Sequence, residues 1–122
     1  FDLVVTRFSG RPVTPPPGAG PIERYGGDAE QICGGFWPGN ERFPNAAFFA
    51  YGYPKPDGIE QASIRPDTAG WNDDIGEFVL PYDAVRTAPE PKRAVIDFLE
   101  STYDASATRL GWSPDLLRHW EP

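Results

Sequence analysis

The chain has 122 residues, 39% of them hydrophobic and 17 aromatic (8 Phe, 5 Tyr, 4 Trp), with a formal net charge of −7. One domain of this size buries roughly two-thirds of its unfolded surface, and the aromatics supply a core, so a chain disordered throughout is excluded. An acidic surface without a Lys/Arg run disfavours nucleic acid, and no apolar run approaches a membrane span.

Phe1 to Phe8 is β-branched and aromatic, apolar on both faces apart from Asp2, Thr6 and Arg7. Such a run predicts a central strand covered on both sides. Arg7 inside it calls for a partner, because an unpaired buried guanidinium costs several kcal/mol. Glu30, Glu77 and Asp83 are the carboxylates considered for that role. Residues 11–29 follow as a Pro/Gly-rich connecting loop, with three consecutive prolines at Pro15 to Pro17.

EQICGGF (Glu30 to Phe36) reads as a short strand, turned around by FWPG. AFFAYGY (Ala47 to Tyr53) is a second strong strand, with Phe48, Ala50 and Gly52 on one side and Phe49, Tyr51 and Tyr53 on the other. PKPDG is a turn signal. A weak strand is expected over Ala62 to Arg65, and the last strand over Gly76 to Leu80, stopped by Pro81. At the corner beyond it, Asp83 caps a short DAVR turn and Arg86 pairs back to Asp83 or Glu77.

Pro91 to Leu110 predicts a long amphipathic helix. Val95, Phe98, Leu99, Thr102, Tyr103, Ser106 and Leu110 share one face, and Arg93, Asp97, Glu100, Asp104 and Thr108 the other. Gly111 suits a left-handed cap, with Trp112 packing back. Ser113-Pro114-Asp115 then starts a short terminal helix ending near Trp120. The fold expected is α+β: a mostly antiparallel sheet of four to five strands, one long helix packed on a face, and a short C-terminal helix.

Site chemistry is sparse. Asp73, Asp74, Glu77 and Asp83 lack EF-hand spacing and read as a solvated acidic loop, so neither a metal nor a cofactor is expected. Cys33 is the single cysteine and His119 the single histidine, which leaves no zinc cluster and no internal disulfide. The ICGGF context marks Cys33 as a small buried thiol. Trp37, Phe49, Tyr51, Tyr53 and Trp71 are the rings available either to the core or to a stacking wall for a sugar or another ring.

Four separated stretches occur in order: FDLVVTRFSGR, GFWPG, GEFVLPYDAVR and FLESTYDASATRLGW. Together they resemble the C-terminal portion of a bacterial family of uncharacterised proteins, classed as a domain of unknown function, common in high-GC bacteria and considerably longer than this chain. The nine Arg against two Lys suit a GC-rich genome. The resemblance implies a missing N-terminal half, in keeping with the absence of methionine and the abrupt first strand. It supplies no activity. Where that family often carries a His-Glu pair before GFWPG, this chain has Ala29 and Glu30.

Two functions are therefore expected in competition. One is a non-catalytic binding or structural portion of a larger cytoplasmic protein, partnered by its N-terminal half, with a small-molecule pocket drawn from Arg7, Trp37, Tyr51, Tyr82 and Arg86. The other is an enzyme whose site is shared with the missing half, using Glu30, Glu77 or Asp83 as general acid or base. A raised pKa on one buried carboxylate beside a pocket favours the enzyme. Carboxylates that are exposed or paired with arginine favour the binding module.

Overall fold

The computed structural model describes residues 1–117. Five strands form one sheet: β1 (Leu3–Pro12), β2 (Ala29–Trp37), β3 (Ala47–Tyr53), β4 (Gly70–Asn72) and β5 (Glu77–Pro81). Every neighbouring pair is antiparallel, in the spatial order β1-β2-β3-β5-β4. The excursion over residues 54–69 carries the chain past β5 to the far edge, and a tight hairpin brings β5 back beside β3.

Helix α3 (Pro91–Arg109) packs on one face of this sheet, opposite β2 and β3. Its buried residues Ala94, Phe98, Thr102, Tyr103, Ser106 and Ala107 recur at helical spacing, which is the stripe expected of a helix lying on a sheet. Phe98 meets Ala50, Ile59, Phe78, Leu80 and Val85 in the main core. Phe98 and Leu80 are fully excluded from water, and each such burial contributes about 1.5–3 kcal/mol. A second cluster joins Ile32 to Tyr103, Ala107 and Trp112. The helix ends as anticipated: Gly111 is left-handed, and the Trp112 N–H returns to the Ala107 carbonyl at 2.9 Å.

Gly34 and Gly35 set how closely other elements approach β2. A methyl group on Gly34 would lie 2.7 Å from Leu99 Cδ2, and one on Gly35 would lie 1.9 Å from the Leu3 carbonyl oxygen. The first lets α3 settle on the sheet; the second lets the start of β1 cross β2. A side chain is excluded outright at Gly35, where the obstacle is backbone, and crowded at Gly34, where it is the end of Leu99.

Several expectations need correction. The opening strand is an edge strand, not a central covered one. Phe1, Leu3, Val5 and Phe8 are 96%, 70%, 63% and 57% exposed, because β1 pairs with β2 alone and α3 sits over the strands further in. Residues 62–65 are not a strand. A 3-10 turn at Ile59–Gln61 buries Ile59 instead, and the edge pairing falls to Gly70–Asn72, too short and glycine-led to be read from periodicity. Within the Pro/Gly-rich stretch, Arg11 and Pro12 continue β1, and Pro21–Gly26 form helix α1, Pro21 supplying a helix-compatible φ at its start. The C-terminal segment is a 3-10 turn over Pro114–Leu117, with the Asp115 N–H on Ser113 Oγ at 3.3 Å. Its expected end near Trp120, like His119, lies outside the described residues.

Candidate functional site

Strand alternation gives the sheet two unlike faces. Phe48, Ala50, Phe78 and Leu80 look towards α3, while the intervening positions look the other way. On that second face Thr6, Cys33 and Tyr51 stand in one cross-strand row, and Trp37, Phe49 and Glu77 share it. The β3–β5 ladder runs from Ala47–Pro81 to Ala50–Phe78 and stops. Tyr51 and Glu77 are the next pair in register, but there the strands part.

A cleft of about 360 Å³ opens at that parting, lined by Asp2, Trp37, Asn40, Phe49, Tyr51, Ile75 and Glu77. A second, of about 310 Å³, continues beyond Tyr51, Ile75 and Glu77 towards Lys55 and Trp71. Two turns build the walls. Asn40 Oδ1 accepts the N–H groups of Arg42 and Phe43 at 2.9 and 3.0 Å, folding the β2–β3 loop so that Phe43 stacks on Trp37 at 5.4 Å. Asn72 Oδ1 accepts the N–H groups of Asp74 and Ile75 at 3.0 and 3.2 Å, and Gly76 closes the hairpin at φ 69°, which sets Ile75 at the cleft.

The charged groups of the lining, Asp2 and Glu77, are both carboxyls. Burial, reinforced by the nearby Asp2 charge, raises the Glu77 carboxyl above its ordinary value. Its carboxylate has no hydrogen-bond or ion-pair partner among the described residues. Burial, together with its contact to Cys33, pushes the Tyr51 phenol up as well. Tyr51 is therefore a neutral hydroxyl at any physiological pH. Cys33 is buried, with Thr6 Oγ1 at 3.5 Å and Gln31 Oε1 at 3.6 Å from its sulfur. It is a packed thiol.

The remaining candidates lie elsewhere. Arg7 is not in a buried ion pair. On an edge strand its guanidinium stays exposed and lies 4.1 Å from the Tyr103 ring centroid, on the α3 side of the sheet. Glu30 accepts instead from Ser9 Oγ at 2.7 Å and Arg11 Nε at 2.8 Å, and Arg11 Nη2 reaches the Leu110 carbonyl just beyond the end of α3. Tyr82, Asp83 and Arg86 form the short helix α2 (Tyr82–Arg86) at the corner after β5. Arg86 Nε pairs with Asp83 Oδ1 at 2.7 Å, while α2 has no side-chain cap, so Asp83 holds the corner through Arg86 rather than by capping. Phe36 and Tyr82 meet edge to face at 6.0 Å.

Trp37, Tyr51 and Glu77 thus come together, and Arg7, Glu30, Tyr82, Asp83 and Arg86 do not join them. Sequence reasoning missed Asp2, Asn40 and Ile75. Asp2 was visible as a charge in an apolar run, and Asn40 as the turn residue after Pro38-Gly39, but nothing local says which face they reach. Among the described residues no group of three or more His, Cys, Asp or Glu is placed to hold a metal, and no helix is long and apolar enough to cross a membrane. Comparison with curated proteins and with solved structures gives no match. Residues 1–119 match a family of unknown function, DUF5996, and the chain belongs to it.

Proposed function

We propose that this member of a family of unknown function is a non-catalytic binding portion of a larger cytoplasmic protein, and that the cleft on the face of the sheet away from α3 holds a small molecule. One observation carries this reading: the β3–β5 ladder ends where Tyr51, Glu77 and Trp37 line an open cavity. A volume of about 360 Å³ lies within the range of small-ligand sites. Two of the three carboxylates considered as general acid or base support binding over catalysis, since Glu30 is paired with Arg11 and Asp83 with Arg86.

The test is a thermal-shift screen against sugars, nucleotides, acyl-CoAs, amines and divalent metals. One class raises Tm by several degrees, and Trp37→Ala removes the response. No shift across the panel overturns the binding role in favour of a structural or protein-partner one. An enzymatic reading rests on Glu77 alone, which is half-buried, raised and beside the cavity. It requires that a bound compound be turned over, and that Glu77→Gln abolish turnover while binding persists.

The proposal includes an upstream part of the same protein packed along β1. The exposed apolar side chains of that edge support it, because a long unprotected edge strand is a pairing template.

A further inference from the structure

Every ligand-facing charge in the first cleft is negative. Asp2 and Glu77 face it, and among the described residues no Lys or Arg lines it. The nearest amine around the adjoining cavity, Lys55, is engaged: Nζ lies 3.5 Å from a Glu60 carboxylate oxygen and 5.5 Å from the Trp71 ring centroid. The neutral lining is aromatic, with Trp37, Phe49 and Tyr51 presenting rings, and Phe49 and Tyr51 stacked nearly parallel at 6.3 Å.

Two carboxylates in a partly enclosed space repel one another, and the donors in the lining, the Trp37 indole N–H, the Tyr51 hydroxyl and the Asn40 amide, are all uncharged and leave that repulsion uncompensated. A positive guest answers both halves of this arrangement. Its charge compensates the carboxylates, and the ring quadrupoles attract it from the side. A phosphate- or carboxylate-bearing guest meets repulsion from both acids, which removes nucleotides and acyl-CoAs from the field. A bare divalent ion is poorly served, since rings supply no oxygen ligands.

We infer that the cleft selects a small organic cation, an amine or guanidinium compound with an apolar body, held between Asp2, Glu77 and the aromatic wall. This inference rests on the binding role proposed above and adds the ligand class to it. Glu77 supplies the directional contact because it is half-buried beside Tyr51; Asp2, at the exposed rim, contributes longer-range attraction.

The experiment is isothermal titration calorimetry of the whole chain with benzylamine and with benzyl alcohol, two probes of nearly one shape that differ in charge. Benzylamine is expected to bind at least about tenfold tighter at neutral pH, the worth of one desolvated cation contact. Glu77→Gln weakens benzylamine far more than benzyl alcohol and so removes most of that preference, and Asp2→Asn removes a smaller part. Equal affinity for the two probes, with both lost in Trp37→Ala, overturns the cation class and leaves the binding site standing. Displacement of benzylamine by millimolar Mg²⁺ marks a metal site and overturns it too. Failure of benzylamine to bind overturns the inference, and the broader ligand panel then decides the binding role separately.

Discussion

An ionised carboxylate held half out of water, with a second carboxylate nearby and no partner of its own, weakens the fold that holds it. Glu77 is in this position, with Asp2 and Tyr51 facing it. Its folded-state value lies above the unfolded one, so the native state binds the proton more readily. The cost is therefore absent below the ordinary glutamate range, grows as pH rises from there through the raised value, and is fully present above it. Glu77→Gln should raise Tm at neutral pH and leave it unchanged near about pH 3, below the ordinary glutamate range, where both states are protonated. An equal rise at both pH values would assign the effect to packing instead. Stability gained by deleting a charged group is the pattern expected where that group serves binding.

At the scale of elements, contact with β2 is decided by two missing side chains. Gly35→Ala drives a methyl group into the Leu3 carbonyl, a backbone atom that cannot step aside, whereas Gly34→Ala presses on the end of the flexible Leu99 side chain. The first should cost on the order of 1–3 kcal/mol or more and the second clearly less, read by urea denaturation of both variants. Comparable losses would show that β1 shifts as easily as Leu99 does. The same elements show what could be read in advance. The α3 stripe, the strands around Cys33 and Tyr51, and the Gly111 cap follow from periodicity and local chemistry, which act within a few residues. The position of Phe1 to Phe8 in the sheet does not. A run apolar on both faces looks alike whether a neighbouring strand lies on one side or two, and strand order is set by contacts distant in sequence. The cleft was half legible for the same reason. Alternation put Tyr51 on the face of Phe49 rather than of Ala50, yet only the end of the β3–β5 ladder brings Glu77 opposite it.

For the molecule as a whole, the two sheet edges are unequal. One is the three-residue β4; the other is the ten-residue β1, whose apolar side chains stand in water. If an upstream part covers β1, Leu3 has two environments. In the 122-residue chain, Leu3→Lys should alter stability by no more than about 0.5 kcal/mol, as expected at an exposed position. In a longer form carrying the upstream residues it should cost about 1.5–3 kcal/mol, the value of burying such a side chain, and that longer form should itself melt higher. Equal small losses in both forms, or equal melting temperatures, would count against a covered edge.

The alternation along Ala47–Tyr53 has a consequence for how such a protein can diversify. Phe48 and Ala50 answer to the helix and the core, while Tyr51 faces the cleft, braced by Phe49 and Cys33. Should the cleft hold a guest, a lineage could exchange it by changing Tyr51 alone, since Ala47 and Phe49 on the same parity are buried and Phe48 and Ala50 on the other keep the scaffold intact.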